Sequence, residues 1–192
     1  MRKIIVSEFV SLDGVMEDPQ WTFQFNTDEQ NQFKYDELKE CDTLLLGRVT
    51  YEGFAAAWPK VTNKVAEGVV VPDDFADRMN NYPKFVVSTT LQEVSWNNSR
   101  LIRGNLVEEV SKLKQLPGKD ILVAGSCQLV NTLMEHHLID EYRLMVFPIV
   151  VGNGKRLFRD HDDMKVLKHV ETKTFRSGVA VLTYEPHRSV VI

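Results

Sequence analysis

Gly47 and Gly125 sit in two segments of similar design. The first reads Leu44-Leu45-Leu46-Gly47-Arg48-Val49-Thr50-Tyr51-Glu52, the second Ile121-Leu122-Val123-Ala124-Gly125-Ser126-Cys127-Gln128-Leu129. In each, a short apolar run meets a glycine and then a stretch that reads as helix. A buried strand, a tight turn and a helix N-terminus in that order leave unpaired backbone N–H groups at the positive end of a helix dipole. Such a place binds anions. Two of them in one chain suit a ligand with two phosphate groups, and hence a nucleotide cofactor. Both glycines are equally compatible with plain tight turns.

Other residues offer chemistry with weaker spacing. Asp13 lies in an Asp-Gly turn pair, which serves geometry as readily as catalysis. Trp21, Phe23 and Phe25 can either stack on a planar ring or anchor a loop to the core. Cys127 at a helix start is a candidate reactive thiol, since such a position lowers a thiol pKa. It also serves as a small loop residue. His136-His137 and His161-Asp162-Asp163 suggest metal, but adjacent histidines face different sides of a helix and no third ligand is placed by spacing. No metal site is expected. The two histidines suit the negative end of a helix.

The elements that must position these groups follow from pattern. Lys3–Val10 reads as a strand and Ser11–Gly14 as a turn. Residues 15–25 read as a loop. Asn26 or Thr27 can cap a helix through about Glu40, with Asp28 and Glu29 in its first turn and Phe33, Leu38 and Cys41 toward the core. Thr43–Leu46 is a buried strand and Thr50–Trp58 its helix, stopped by Pro59. Pro72–Asn80 suits a short helix with proline at its start. Lys84–Ser88 is a strand. Asn105–Gln115 is an amphipathic helix, with Leu106, Val110 and Leu113 at helical spacing. Asp120–Val123 is a strand, Ser126–His136 a helix and Glu141–Phe147 a strand. Met164–Phe175 and Val179–Glu185 form a hairpin across Arg176-Ser177-Gly178. This is an α/β sheet, mostly parallel, with antiparallel strands at its C-terminal edge. Ligands in such sheets bind beyond the carboxyl ends of the strands, where both glycine turns fall.

Composition narrows the function. The chain has 192 residues, 43% hydrophobic and 26% charged, with a net charge of −4. One domain over residues 1–192 is expected. A net negative charge gives no basic field for nucleic acid. No apolar run approaches the ~20 residues that span a bilayer, and Met1–Val6 reads as an opening strand rather than a signal peptide. Two cysteines without metal-like spacing fit a reducing cytoplasm.

Several of these segments resemble one superfamily in order. Gly47-Arg48-Val49-Thr50 resembles the Gly-Arg-x-Thr signature of dihydrofolate reductases, Phe85–Thr90 their second phosphate-binding strand end, and Val123-Ala124-Gly125-Ser126 their glycine pair before a helix. Ser11-Leu12-Asp13-Gly14, Leu138–Glu141 and Pro148–Phe158 are closer to the reductase domain of bacterial riboflavin biosynthesis. The resemblance spans nearly the whole chain. It implies a dihydrofolate reductase-like three-layer sandwich and an NADPH-dependent reductase acting on a small metabolite. Arg48, with Gly47, Val49 and Thr50, would then hold the 2′-phosphate or the pyrophosphate, since arginine's planar fork matches phosphate oxygens. Ser88 and Thr89 would contact the adenosine side. Gly125, Ser126, Cys127, Gln128 and Leu129 would present backbone N–H groups to the pyrophosphate. Phe9 and Val10 would lie by the nicotinamide, with Gly152 near the cofactor's reactive end. Asp13 is the candidate catalytic residue, and Trp21 and Asp28 the candidate substrate contacts. The resemblance also implies a homodimer formed through the C-terminal strands. Two departures stand out. The riboflavin-type reductases carry a glutamate before the glycine pair, where this chain has Val123, and Ala124 replaces the first glycine. Two other readings therefore remain: the riboflavin-pathway reductase of a ribosylaminopyrimidine, and a non-enzymatic nucleotide- or pterin-binding protein.

Overall fold

The computed structural model describes residues 1–61, 74–159 and 164–187. The expected helix start at Pro72, the segment His161-Asp162-Asp163 and the C-terminal tail lie outside the described residues.

Among the described residues, eight strands form one sheet: β1 (Ile4–Ser11), β2 (Cys41–Gly47), β3 (Lys84–Val87), β4 (Ser99–Ile102), β5 (Asp120–Val123), β6 (Glu141–Phe147), β7 (Leu167–Thr174) and β8 (Ala180–Pro186). Their order is β4-β3-β2-β5-β1-β6-β8-β7. Strands β1 to β6 run parallel, and β8 and β7 add antiparallel. The α-helices of these residues are α1 (Asp28–Glu40), α2 (Arg48–Ala57), α3 (Phe75–Asn81), α4 (Leu106–Gln115) and α5 (Cys127–Glu135).

The period-two alternation of β1 divides the core. Ile4, Val6 and Val10 pack with Val110 and Leu113 of α4 and Leu129, Val130 and Leu133 of α5. Ile5 packs on the other face with Leu38 of α1, Tyr51 of α2 and Met79 of α3. A third cluster, around Phe147, Phe175 and Val181, gathers Phe9, Trp21 and Phe25. The result is the three-layer α/β sandwich of the dihydrofolate reductases.

Several boundaries differ from expectation. Strand β2 begins at Cys41 rather than Thr43, because α1 runs into the strand with no intervening loop. Helix α2 begins at Arg48, directly on Gly47, and a 3-10 turn at Trp58–Lys60 follows it. Residues Pro19–Phe25, expected as loop, form a 3-10 helix with proline at its start. Strand β4 is not foreseen by the sequence pattern. Its four residues, Ser99-Arg100-Leu101-Ile102, are too few and too mixed to show a period.

Candidate active site

Strand β5 lies between β2 and β1, so the chain reverses its direction of travel across the sheet at this point. Crevices at such reversals, beyond the carboxyl ends of the strands, are the usual ligand positions in open α/β sheets. Gly47 ends β2 and Gly125 follows β5, and the two turns touch. The Gly47 N–H donates to the Gly125 carbonyl at 2.9 Å. A Cβ on Gly47 would stand 2.9 Å from the Ser126 backbone nitrogen. Gly125 has φ +100°, and a Cβ there would overlap the Thr50 hydroxyl. The Gly125–Ser126 peptide is cis.

Both helices that start here have open N-termini. Gly47 caps α2 and Ser126 caps α5, and neither supplies a side-chain capping bond. The first backbone N–H groups of each helix, from Arg48–Thr50 and Cys127–Leu129, are left without intrahelical partners by helix geometry. Arg48 and Val49 are exposed, and the Arg48 guanidinium reaches Glu52 at 2.9 Å. Both side chains of that pair are nearly half exposed, so it is worth little and Glu52 competes weakly for Arg48. The donor set of this crevice fits an extended anion.

Other expected residues take different positions. Ser88 is buried, and its hydroxyl accepts the N–H groups of Thr90 at 3.1 Å and Leu91 at 3.0 Å. It shapes its own loop, which leaves the exposed Thr89 as the available hydroxyl. Gly152 is exposed, with open space where a Cβ would stand. Its N–H donates to Asp13 at 2.8 Å, and Val151 N–H donates at 3.0 Å. The Ser11 hydroxyl, then these loop N–H groups, hold the Asp13 carboxyl down at about 2. An acid held that low stays ionised at neutral pH and is a poor proton donor. The geometry gives Asp13 the task of tying residues 151–152 to the end of β1. Burial raises the Cys127 thiol pKa, with Glu8 and Glu17 adding to the rise and Lys155 and Arg159 opposing it, which fits the small loop residue rather than the reactive thiol.

On the opposite face, Phe9, Trp21 and Phe25 each meet Phe147 edge-to-face, with ring centroids 5.4, 5.5 and 5.8 Å away. Trp21 and Phe25 thus anchor the 3-10 helix, while Phe23 is exposed. Asp28 lies exposed in the first turn of α1, where it complements the dipole. The acid of α1 that does face the sheet is Glu37. Its Oε2 accepts from Ser7 Oγ at 2.9 Å and pairs with Lys34 Nζ at 2.6 Å, and Lys34 also donates to Ser7 at 2.7 Å. Lys34 Nζ stands 5.4 Å from the centre of the Phe9 ring. Sequence reasoning misses this cluster, although Gln30, Lys34, Glu37 and Leu38 share one helical face. It also misses Glu8, a carboxyl on the strand face otherwise made by Ile4, Val6 and Val10.

The sheet order, the paired glycine turns and the antiparallel C-terminal edge define a dihydrofolate reductase-like α/β protein. Within that class the chain belongs to the family of the RibD C-terminal domain, whose model matches residues 2–181. It is similar to the uncharacterized protein YyaP of Bacillus subtilis, 34% identical over 183 residues, with 95% of this chain and 94% of that protein covered. Among solved structures, a protein of Shewanella sp. PV-4 named for riboflavin biosynthesis aligns with TM-score 0.74 at 21% identity, covering 97% of this chain and 99% of that one. Dihydrofolate reductase from Enterococcus faecalis, complexed with NADP(H), aligns with TM-score 0.60 at 14% identity, covering 96% of each chain. At those identities the structures establish the shared fold.

Proposed function

We propose that the protein is an NADPH-dependent reductase that transfers a hydride to a small metabolite. The observation that carries this reading is the contact of two open helix N-termini through Gly47 and Gly125. Val49 and Thr50 with Gly125, Ser126, Cys127, Gln128 and Leu129 would hold the pyrophosphate through backbone N–H groups, Gly47, whose own N–H is taken by the Gly125 carbonyl, would let the two turns meet, and Arg48 would hold the 2′-phosphate. Thr89 would lie along the adenosine side, and Phe9, Val10 and Gly152 near the nicotinamide. Bound NADPH would supply the hydride, while the protein orients it and excludes water. The family and the fold shared with a reductase solved with NADP(H) support the reading.

The test is a calorimetric titration with NADPH and NADH, followed by an NADPH oxidation screen against pterins, quinones and aldehydes. Arg48→Ala is expected to weaken NADPH binding by roughly ten- to a hundredfold, the scale of a charge-assisted hydrogen bond, and to leave NADH nearly unchanged. Equal losses for both nucleotides would remove Arg48 from the 2′-phosphate. Tight NADPH binding with no oxidation of any substrate would favour a non-enzymatic binder. Val123, where riboflavin-type reductases carry a glutamate, is fully buried in the apolar core. This supports a substrate other than the ribosylaminopyrimidine.

We further propose a homodimer built on β7. This strand is the outer edge of the sheet, it is exposed along nearly its whole length, and Val166 and Val170 present apolar surface there. Unpaired edges of this kind invite a second strand. Light scattering is expected to return twice the chain mass, and Val170→Lys to return the monomer. A monomeric wild type would refute the proposal.

A further inference from the structure

Glu8 lies on β1 close enough to the Gly125 turn and the start of α5 to bear on the Gly125 N–H and on Cys127. It is 6% exposed, and its Oε1 has no hydrogen-bond partner among the described residues. A buried carboxylate lacking partners is costly. Burial accordingly raises this carboxyl to about 8, against the opposing pull of Lys34 and of the Gly125 N–H, while Glu37 reinforces the rise. The charged and titratable groups that bear on it are therefore Lys34 and Glu37 from α1 and Cys127 from α5. The Cys127 thiol in turn feels Glu17, Lys155 and Arg159. The register neighbour on β6 is the apolar Leu144.

A carboxylate beneath an anion site works against the site, because it attracts the same N–H groups and repels the same ligand. A neutral carboxyl accepts those N–H groups more weakly and carries no charge to repel the ligand. We propose that Glu8 is a proton-coupled positioning residue for the phosphate turn: neutral, it competes only weakly for the Gly125 N–H and leaves the α5 N-terminus open to an anionic ligand, and ionised, it binds that N–H strongly and repels the anion. This rests on the reading of the two glycine turns as a dinucleotide phosphate site. The sign follows from linkage. The free protein loses the Glu8 proton as pH rises through its raised pKa, and the complex keeps it. Binding therefore takes up a proton above that pH, and affinity falls as pH rises.

The experiment is calorimetric titration of the full chain with NADPH at about pH 7 and about pH 9, in buffers of different ionisation enthalpy. Wild-type affinity is expected to fall roughly tenfold between the two, with close to one proton taken up per NADPH at the higher pH. Glu8→Gln keeps the shape without the ionisation, and is expected to bind equally at both pH values with that uptake gone. A carbon-13 NMR titration of the Glu8 carboxyl in wild-type protein needs no variant, and is expected to show it neutral at neutral pH. The proposal is overturned by pH-independent binding, by a Glu8→Gln protein that keeps the wild-type pH response, or by a Glu8 carboxyl that titrates in the ordinary range. NADPH binding without pH dependence would overturn the role of Glu8 alone. Absence of NADPH binding would overturn the phosphate-site reading with it.

Discussion

Gly47→Ala is expected to cost about a hundredfold or more in NADPH affinity while the sheet stays folded. Gly47 has φ −76° and ψ 160°, a conformation alanine adopts freely, so the backbone itself does not resist the change. The obstacle is the neighbouring turn. The new methyl would stand 2.9 Å from the Ser126 backbone nitrogen, which cannot rotate away as a hydroxyl can. The turns must separate by roughly half an ångström to restore ordinary contact, and overpacking of this kind costs about 1–3 kcal/mol. That separation stretches and weakens the Gly47 to Gly125 hydrogen bond and misaligns the two helix starts. Gly53→Ala is the matched control. Gly53 lies within α2, where an added methyl would meet nothing within 4 Å, and alanine there should stabilise the helix by about 0.5–1 kcal/mol. Titration calorimetry and thermal melts on both variants check the pair. Unchanged NADPH affinity in Gly47→Ala would show that the turn contact does not set the site.

Glu37→Ala is expected to destabilise the protein by about 3–5 kcal/mol, the cost of leaving a buried charge without its partner. The Glu37 side chain is 1% exposed, whereas Lys34 is 20% exposed. Removing the carboxylate strands the Lys34 ammonium and the Ser7 hydroxyl against β1. It also removes a second, longer contact to Arg143 at 3.8 Å. Arg143 keeps Glu141 at 2.6 Å and Glu40 at 2.8 Å, so the loss concentrates on Lys34. For a chain of this size the melting temperature should drop by about 10 °C. Glu40→Ala removes an exposed partner of the same Arg143 and should cost under about 1 kcal/mol. Equal effects from the two variants would mean that burial does not amplify the Glu37 pair.

The strands that build the site are legible in the sequence because they are buried on both faces. Ile4–Val6, Leu44–Leu46 and Ile121–Val123 read as continuous apolar runs, and the glycine after each of the latter two marks the turn. The adjacency of those turns is not legible, since it depends on β5 inserting between β2 and β1. That order is set by sheet packing rather than by any local residue. Glu8 escapes notice because a charge in an apolar run reads first as its interruption. Its place in the alternation, on the Val6 and Val10 face, holds the information. Ser88 shows the reverse case: a hydroxyl in the expected loop, whose bonds to Thr90 and Leu91 emerge only once the loop's path is known.

The insertion of β5 has a consequence for synthesis. Strands β1 and β2 never pair with each other, and each lends β5 one edge. A nascent chain that has emerged only as far as residue 119 therefore carries three bare strand edges that are interior to the finished molecule, both of β1 and one of β2, with the aggregation hazard such edges bring. Emergence of Asp120–Val123 joins the two halves and delivers Gly125 to Gly47 in the same step. The joining of β1 to the β2 side of the sheet and the meeting of the two glycine turns are thus one event in the life of the chain, before β6, β8 and β7 are added.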